Sequence, residues 1–261
     1  MKLSIITTVY NAEADIRETV ESVLNQGIID LEYIVTDGGS TDKTLNILDD
    51  YPEVTVFSES DKGIYDGMNK GISKASGDLI GILNAADRYA SGALSSVIEA
   101  AVSNTDAGVF HGRMNWIKDG AFAMEVGSPV SERKGMHRMP VCHPTTFIRR
   151  SVYEEFGLFD DSYKIAADHK LLRNLLANNV GFYFIDQVIA EMEGGGASAV
   201  HRKVKRDEVL RTLSGLNAPL SDKAHVWYSY FLLVARDVAV SRGFAFDAFK
   251  PLFRKLKVLK K

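Results

Sequence analysis

Asp37, Asp61 and Asp87 each come just after a short apolar run, residues 33–36, 54–57 and 79–83 respectively. One such aspartate has ordinary uses, since Asp caps helices and opens turns. Three at successive strand exits imply a shared polar crevice, because open parallel α/β sheets bind ligands outside the carboxyl ends of their strands. A carboxylate in that position suits a hard divalent cation such as Mg²⁺, held by one or two carboxylates together with a substrate's phosphates. That chemistry points to a nucleoside diphosphate. The sequence has no Gly-x-x-x-x-Gly-Lys-Ser/Thr, no Gly-x-Gly-x-x-Gly after its first strand, no His-Glu-x-x-His and no Gly-x-Ser-x-Gly. A P-loop, a dinucleotide site, a zinc protease and a serine hydrolase are thereby disfavoured.

The elements that must position these residues alternate in type. Residues 3–9 are apolar and β-branched, as in a strand buried on both faces. Asn11 is placed to cap a helix carrying Ile16, Val20, Val23 and Leu24. Further strands at 33–36, 54–57 and 79–83 alternate with helices after Ser40, Gly63 and Ala90. This rhythm requires right-handed crossovers and a mostly parallel sheet covered on both faces. From Gly108 the rhythm changes to a strand pair around Asp119-Gly120, a loop at 128–140 expected to be mobile, and a strand at 145–148. A short helix closed by Gly157, a helix opened by Asp168, a strand at 182–185 and the run Gly194-Gly195-Gly196 follow. The remainder reads as helical.

Composition sets outer limits. The 261 residues carry a net charge of −3, which gives no bulk attraction to nucleic acid. Cys142 is the only cysteine, so no intrachain disulfide forms. Neither the N-terminal run nor residues 226–235 is long enough for a signal peptide or a span, and a cytoplasmic protein is expected. In the last eighteen or so residues Phe244, Phe246, Phe249, Leu252, Phe253, Leu256 and Leu259 interleave with Lys250, Arg254, Lys255, Lys257, Lys260 and Lys261. A basic amphipathic tail of this kind fits a membrane surface, or else a packed helix or oligomer contact.

In its motifs the chain resembles the family 2 glycosyltransferases, inverting enzymes with the GT-A fold. The resemblance rests on Leu3-Ser4-Ile5-Ile6-Thr7-Thr8-Val9-Tyr10-Asn11, on Ile34-Val35-Thr36-Asp37-Gly38-Gly39-Ser40, and above all on the run 58–71 from Ser58 through Asp61-Lys62-Gly63 and Asn69 to Gly71. That last run is similar to a branch that builds exopolysaccharides such as colanic acid, and O-antigens. Cys142-His143-Pro144 and Ile165-Ala166-Ala167-Asp168 stand where that branch has its acceptor-side motif. The resemblance implies a GT-A (Rossmann-like) α/β domain over residues 1–200 and a helical C-terminal region over 201–261.

It also implies roles. Thr8, Tyr10, Asn11, Asp37, Asp61, Lys62, Asn69 and Asn84 would bind the nucleotide of a UDP- or GDP-sugar. Asp87 would hold Mg²⁺ or Mn²⁺, with His201 a weaker second ligand. Asp168 would be the catalytic base, taking the proton of an acceptor hydroxyl on a glycan or polyprenyl-linked molecule at the inner face of the membrane. His143, Glu191 and Glu193 would contact acceptor or diphosphate, and the two glutamates are fallback bases. Trp116 and Tyr89 are candidates for stacking on sugar. From the residues alone, Asp168 reads first as the N-cap of its helix, and only the resemblance turns the reading to the base. Most members carry a further acidic residue where this chain has Ala85-Ala86, so metal dependence is expected to be weak. The same pair leaves open a nucleotide-sugar-binding protein that has lost catalysis. A sugar nucleotidyltransferase is the remaining rival, disfavoured because the first loop lacks Gly and Lys.

Overall fold

The computed structural model describes residues 1–118, 120–132, 135–194 and 200–241. One nine-stranded sheet runs through it, in the order β3-β2-β1-β4-β8-β6-β9-β5, with β7 paired to β6. Its first half is the expected parallel sheet: β1 (Leu3–Val9), β2 (Leu31–Asp37), β3 (Val54–Ser58) and β4 (Leu79–Ile82). Helices α1 (Ile16–Leu24), α2 (Thr44–Leu48) and α3 (Ile64–Lys74) make the crossovers. The strands alternate faces as period two requires. Leu3, Ile5 and Val9 face a cluster with Ile16, Val20 and Leu48, whereas Ile6 faces Met68 and Ile72 of α3.

The second half is mixed. The short strand β5 (Arg88–Tyr89) and helix α4 (Ala93–Ser103) lead to β6 (Ala107–Lys118) and its hairpin partner β7 (Ala121–Val126). Strand β8 (Phe147–Arg149) is antiparallel to both β4 and β6. Helix α5 (Arg150–Phe156) ends at Gly157, and α6 (Ala167–Ala177) precedes β9 (Gly181–Glu193), which is parallel to β6. Because β8 runs against β4, the turn before β8 lies beside the exit of β4. The ends of β6 and β9 reach the same edge.

Two helices close the chain, α7 (Arg202–Gly215) and α8 (Leu220–Ser241). Val209, Leu213 and Ala218 are buried in the same cluster as Leu171, Leu172 and Leu175 of α6. The amphipathic tail at 244–259 lies outside the described residues, as do Gly195 and Gly196.

Three expectations are corrected. Asn11 does not cap α1, which starts at Ile16 after Asp15. Residues 135–140 are tied down, not loose: Arg173 Nη2 donates to the Gly135 carbonyl at 2.9 Å and the Arg138 carbonyl at 2.5 Å, and Met136 and Met139 pack on the core. The strand expected at 182–185 extends to Glu193. The acidic stretch after Ile185 has weak strand propensity, and pairing with β6 overrides it.

Candidate active site

A cavity of about 430 Å³ opens at the edge where β4, β6 and β9 end. It brings together Asn84, Asp87, His143, Asp168 and Glu193 from the sequence-derived set. Asn84 and Asp87 share the turn after β4, whereas His143, Asp168 and Glu193 each arrive from a separate part of the chain, so only the fold could unite them.

Asp87 sits in the turn that leaves β4. Its backbone N–H donates to the Asn84 carbonyl at 3.1 Å, and Thr19 of α1 braces the turn through the Ala86 N–H and the Asp87 carbonyl. Ala86 has φ 76°, a left-handed conformation that costs a non-glycine residue about 1–2 kcal/mol. Strain of this sort is typical of functional turns. The Asp87 side chain is 6% exposed and no hydrogen-bond donor engages its carboxylate among the described residues. Burial pushes its pKa up to about 8, with the Arg88 charge pulling the other way.

Asp168 is half-buried in the first turn of α6. It is not the N-cap. The cap position is Ala166, and the helix begins one residue before Asp168. Tyr65 Oη donates to Asp168 Oδ1 at 3.3 Å, and the His169 N–H donates to the same oxygen at 2.7 Å. Both anchors fall on Oδ1, which leaves Oδ2 for a ligand. The Asp168 charge opposes the effect of burial on His143, whose pKa burial lowers. His143 and the Asp168 carboxylate face the cavity together. The wall is completed by Trp116, Met192, Pro144, Lys164 and Ile165, with Tyr65 and Met68 from α3.

The nucleotide set lies mostly beside this cavity, not in it. Thr8 Oγ1 donates to Asn84 Oδ1 at 3.0 Å, joining the exit of β1 to the exit of β4. Asp37 is 2% exposed and accepts from the Gly39 and Ser40 N–H groups at 3.1 Å and from Ser58 Oγ at 2.6 Å. Asn11 takes the Thr41 N–H at 2.8 Å and gives its own N–H to Ser40 Oγ at 2.8 Å, locking the first loop to the second. Asp61 lies over two glycines: a Cβ at Gly38 would sit 2.7 Å from its Oδ2, and one at Gly67 3.3 Å from it. Tyr10 follows β1 and is exposed, and Lys62 is exposed just before α3.

Other residues are placed elsewhere. The Asn69 amide is spent on the backbone of Phe159, donating at 2.8 Å and accepting at 3.0 Å. Glu191 accepts from Asn115 Nδ2 at 3.3 Å and does not line the cavity. His201 is exposed at the cap of α7 and is not brought to Asp87. Tyr89 is a core ring stacked on Phe147, while Trp116 does face the cavity, close against Gly194. The sequence reading gave no role of their own to Tyr65 and Thr36, which stand inside its motifs, and none to Lys164; the buried Oγ1 of Thr36 has no partner beside Gly67. Tyr65 and Lys164 were flanked by residues already singled out, and that adjacency was the available signal.

The model of glycosyl transferase family 2 matches residues 4–157. The chain belongs to this family. A Mycobacterium bovis relative named PGL/p-HBAD biosynthesis glycosyltransferase is 27% identical over 176 residues, which span 63% of this chain and 66% of the relative's own length. In fold, the family 2 chain is similar to S. aureus TarS 1-349 in complex with UDP-GlcNAc, with TM-score 0.66, 20% identity, 87% of this chain and 69% of that one. It is equally similar to the mannosyltransferase PcManGT of Pyrobaculum calidifontis in complex with GDP-Man and Mn²⁺, with TM-score 0.66, 17% identity, 98% of this chain and 80% of that one. The family 2 match ends before Lys164, Asp168, Met192 and Glu193, so that part of the cavity wall lies outside it.

Whether these residues fit a divalent ion can be judged from Asp87. Among the described residues no three His, Cys, Asp or Glu side chains are grouped to hold one. A protein cage for a resident ion is therefore not what the site offers. A single buried, uncompensated carboxylate opening on a cavity fits an ion that arrives with a diphosphate, since Mg²⁺ commonly takes one or two carboxylates plus phosphates and waters.

Proposed function

We propose that this family 2 chain is an inverting glycosyltransferase, moving a sugar from a UDP- or GDP-sugar to an acceptor hydroxyl on a glycan or polyprenyl-linked molecule of exopolysaccharide type. The observation that carries this reading is the single cavity that holds both Asp87 and Asp168 with Oδ2 unengaged. Asp37, Asp61 and Thr8 would hold the nucleoside at the adjoining rim, and Asn84 would link that rim to the reacting end. The acceptor oxygen attacks the anomeric carbon from the face opposite the diphosphate. As that bond forms its proton passes to Asp168 Oδ2, and the C–O bond to the diphosphate breaks with its electron pair. A positioned base of this kind contributes about 10²–10⁴-fold. Asp87 would hold Mg²⁺ or Mn²⁺, which when bound neutralises charge on the departing diphosphate. Tyr65 and the His169 N–H fix the rotation of the Asp168 carboxylate.

Ala85 and Ala86, both on the cavity wall, favour a second reading in which the chain binds a nucleotide-sugar without transferring it. Thermal denaturation with UDP and GDP, with and without Mn²⁺, tests what both readings share, because a ligand that binds only the native state raises its stability. A rise in Tm that is larger with Mn²⁺ is expected, with the Mn²⁺ increment lost in Asp87→Ala. No rise with either nucleotide would end both readings, and donor turnover separates them.

We also propose attachment to a membrane surface from the cytoplasmic side. No described helix is long and apolar enough to cross a membrane. Helix α8 exposes Trp227 (53%), Phe231 (68%) and Val238 (46%) on spacings of four and seven, just ahead of the basic tail. Co-sedimentation with anionic vesicles that weakens with salt is expected, and binding unaffected by removal of residues 243–261 would exclude the tail.

A further inference from the structure

The segment that delivers Asp168 and Lys164 to the cavity has no capping side chain of its own. Its backbone is instead held from the C-terminal region. Glu208 of α7 is 9% exposed, and its carboxylate accepts three consecutive backbone N–H groups: Lys164 at 2.6 Å, Ile165 at 2.9 Å and Ala166 at 2.9 Å. Lys164 and Ile165 line the cavity, Ala166 is the cap of α6, and Asp168 follows in its first turn. A carboxylate at this place complements the positive end of the α6 dipole. Bonds from N–H groups to an ionised acceptor are the strong kind. Around it, Arg211 stacks on the Tyr163 ring at 4.5 Å and Thr212 Oγ1 donates to Tyr163 Oη at 3.4 Å, so α7 grips the approach to the segment as well.

We propose that Glu208 is a positioning residue for the transfer step: acting through the 164–166 backbone, it sets where the Asp168 carboxylate and the Lys164 cation stand in the cavity. The proposal rests on the glycosyltransferase reading given above. Its consequence is that the C-terminal helices are part of the active site's scaffold, although they touch no substrate. Displacing a reacting group by about 1 Å can cost two orders of magnitude in rate, so loss of this anchor reads out in the chemical step.

Glu208→Gln keeps the size of the side chain but replaces one acceptor oxygen by an NH₂ group that repels an N–H. It is compared with the wild type in three measurements on the full chain. These are affinity for UDP and GDP by calorimetry, turnover of UDP-GlcNAc, UDP-glucose and GDP-mannose as release of nucleoside diphosphate, and amide hydrogen exchange at 164–168. The expected result is faster exchange at 164–166 and a fall in kcat of about 10-fold or more, with diphosphate affinity unchanged. Val209→Ala, one residue along the same helix, removes buried apolar surface but leaves the Glu208 carboxylate and its three N–H partners in place. It should lower Tm and leave kcat alone. Should Glu208→Gln not fold, Glu208→Asp, which withdraws the oxygens by one methylene, takes its place. Wild-type kcat in the Glu208 variant, or an equal loss of kcat in Val209→Ala, would overturn the proposal. A wild-type chain that neither binds diphosphate nor turns over a donor would instead overturn the glycosyltransferase reading. Exchange at 164–166 would still show whether Glu208 holds the segment, and unchanged exchange would overturn that too.

Discussion

On the β1–β4 side of the cleft, polar side chains satisfy the backbone of their own loop or the next one. Asp37 closes on Gly39 and Ser40, Asp42 on Thr44, and Asn11 on Thr41. On the other side, the segment before α6 leaves its N–H groups to Glu208, 44 residues further along the chain from Lys164. The first wall is closed by bonds within and between neighbouring strand-exit loops and by strands whose exits are fixed by parallel pairing. The second also takes three backbone bonds from Glu208 of the C-terminal helix α7. Local opening should therefore be cheaper on the acceptor side, since regions held by a few long-range contacts open at lower free energy than core strands. If the first wall binds the donor and the second the acceptor, as proposed, acceptor preference can change while donor binding is retained.

The comparison breaks most sharply at Asp168. Asp168→Asn keeps the size of the side chain but cannot take a proton. Transfer should fall by about 10² or more with UDP or GDP affinity unchanged, because the lost interaction exists only as the acceptor attacks. Near-wild-type transfer would remove Asp168 from the mechanism. Loss of nucleotide affinity would move it to the donor wall.

The donor wall makes the opposite prediction. Asp37→Ala removes a carboxylate acceptor from two backbone N–H groups and Ser58 Oγ. A loss of about 2–3 kcal/mol in stability is expected, since hydrogen bonds to charged groups are worth about 1.5–3 kcal/mol. Affinity for nucleoside diphosphate should drop with it, while turnover at saturating donor changes little. If denaturant midpoints and calorimetric affinity both stay at wild-type values, the loop is not held by Asp37.

The same contrast explains how far the sequence could be read. Strands β1–β4 and helices α1 and α3 follow from apolar runs and helical spacing that each segment carries by itself. The aspartates at their exits were legible for the same reason. Strand β9 was cut short because residues 186–193 look unlike a strand until β6 lies beside them. The N-cap alternative for Asp168 could not be settled from sequence, because the carboxylate that serves the α6 N-terminus sits on another helix. Asn69 was drawn to the nucleotide by its place in a motif, yet its amide is committed to Phe159, a partner 90 residues away. Distant pairing of this kind leaves no local mark.

The smallest expected effect probes how the acceptor wall is tied to the core. His169 follows Asp168 and points inward, 3% exposed, with Nε2 against the Met136 carbonyl at 3.0 Å. Burial first, and the nearby Arg173 charge second, push its pKa from 6.5 down to about 4. Between those values the unfolded chain binds a proton that the native ring refuses, so stability falls as pH drops from about 6.5 through about 4. Integrated from pH 7 to pH 5, the loss is about 2 kcal/mol. His143 is shifted in the same direction, so the wild-type slope carries both residues. In His169→Gln the amide can still donate to Met136 but takes up no proton, and the pH dependence should flatten by that amount. Urea midpoints at the two pH values measure it directly. Equal slopes for wild type and variant would mean that His169 is already free to charge in the native state. The 135–139 segment would then be open on the acceptor side, not tied to α6.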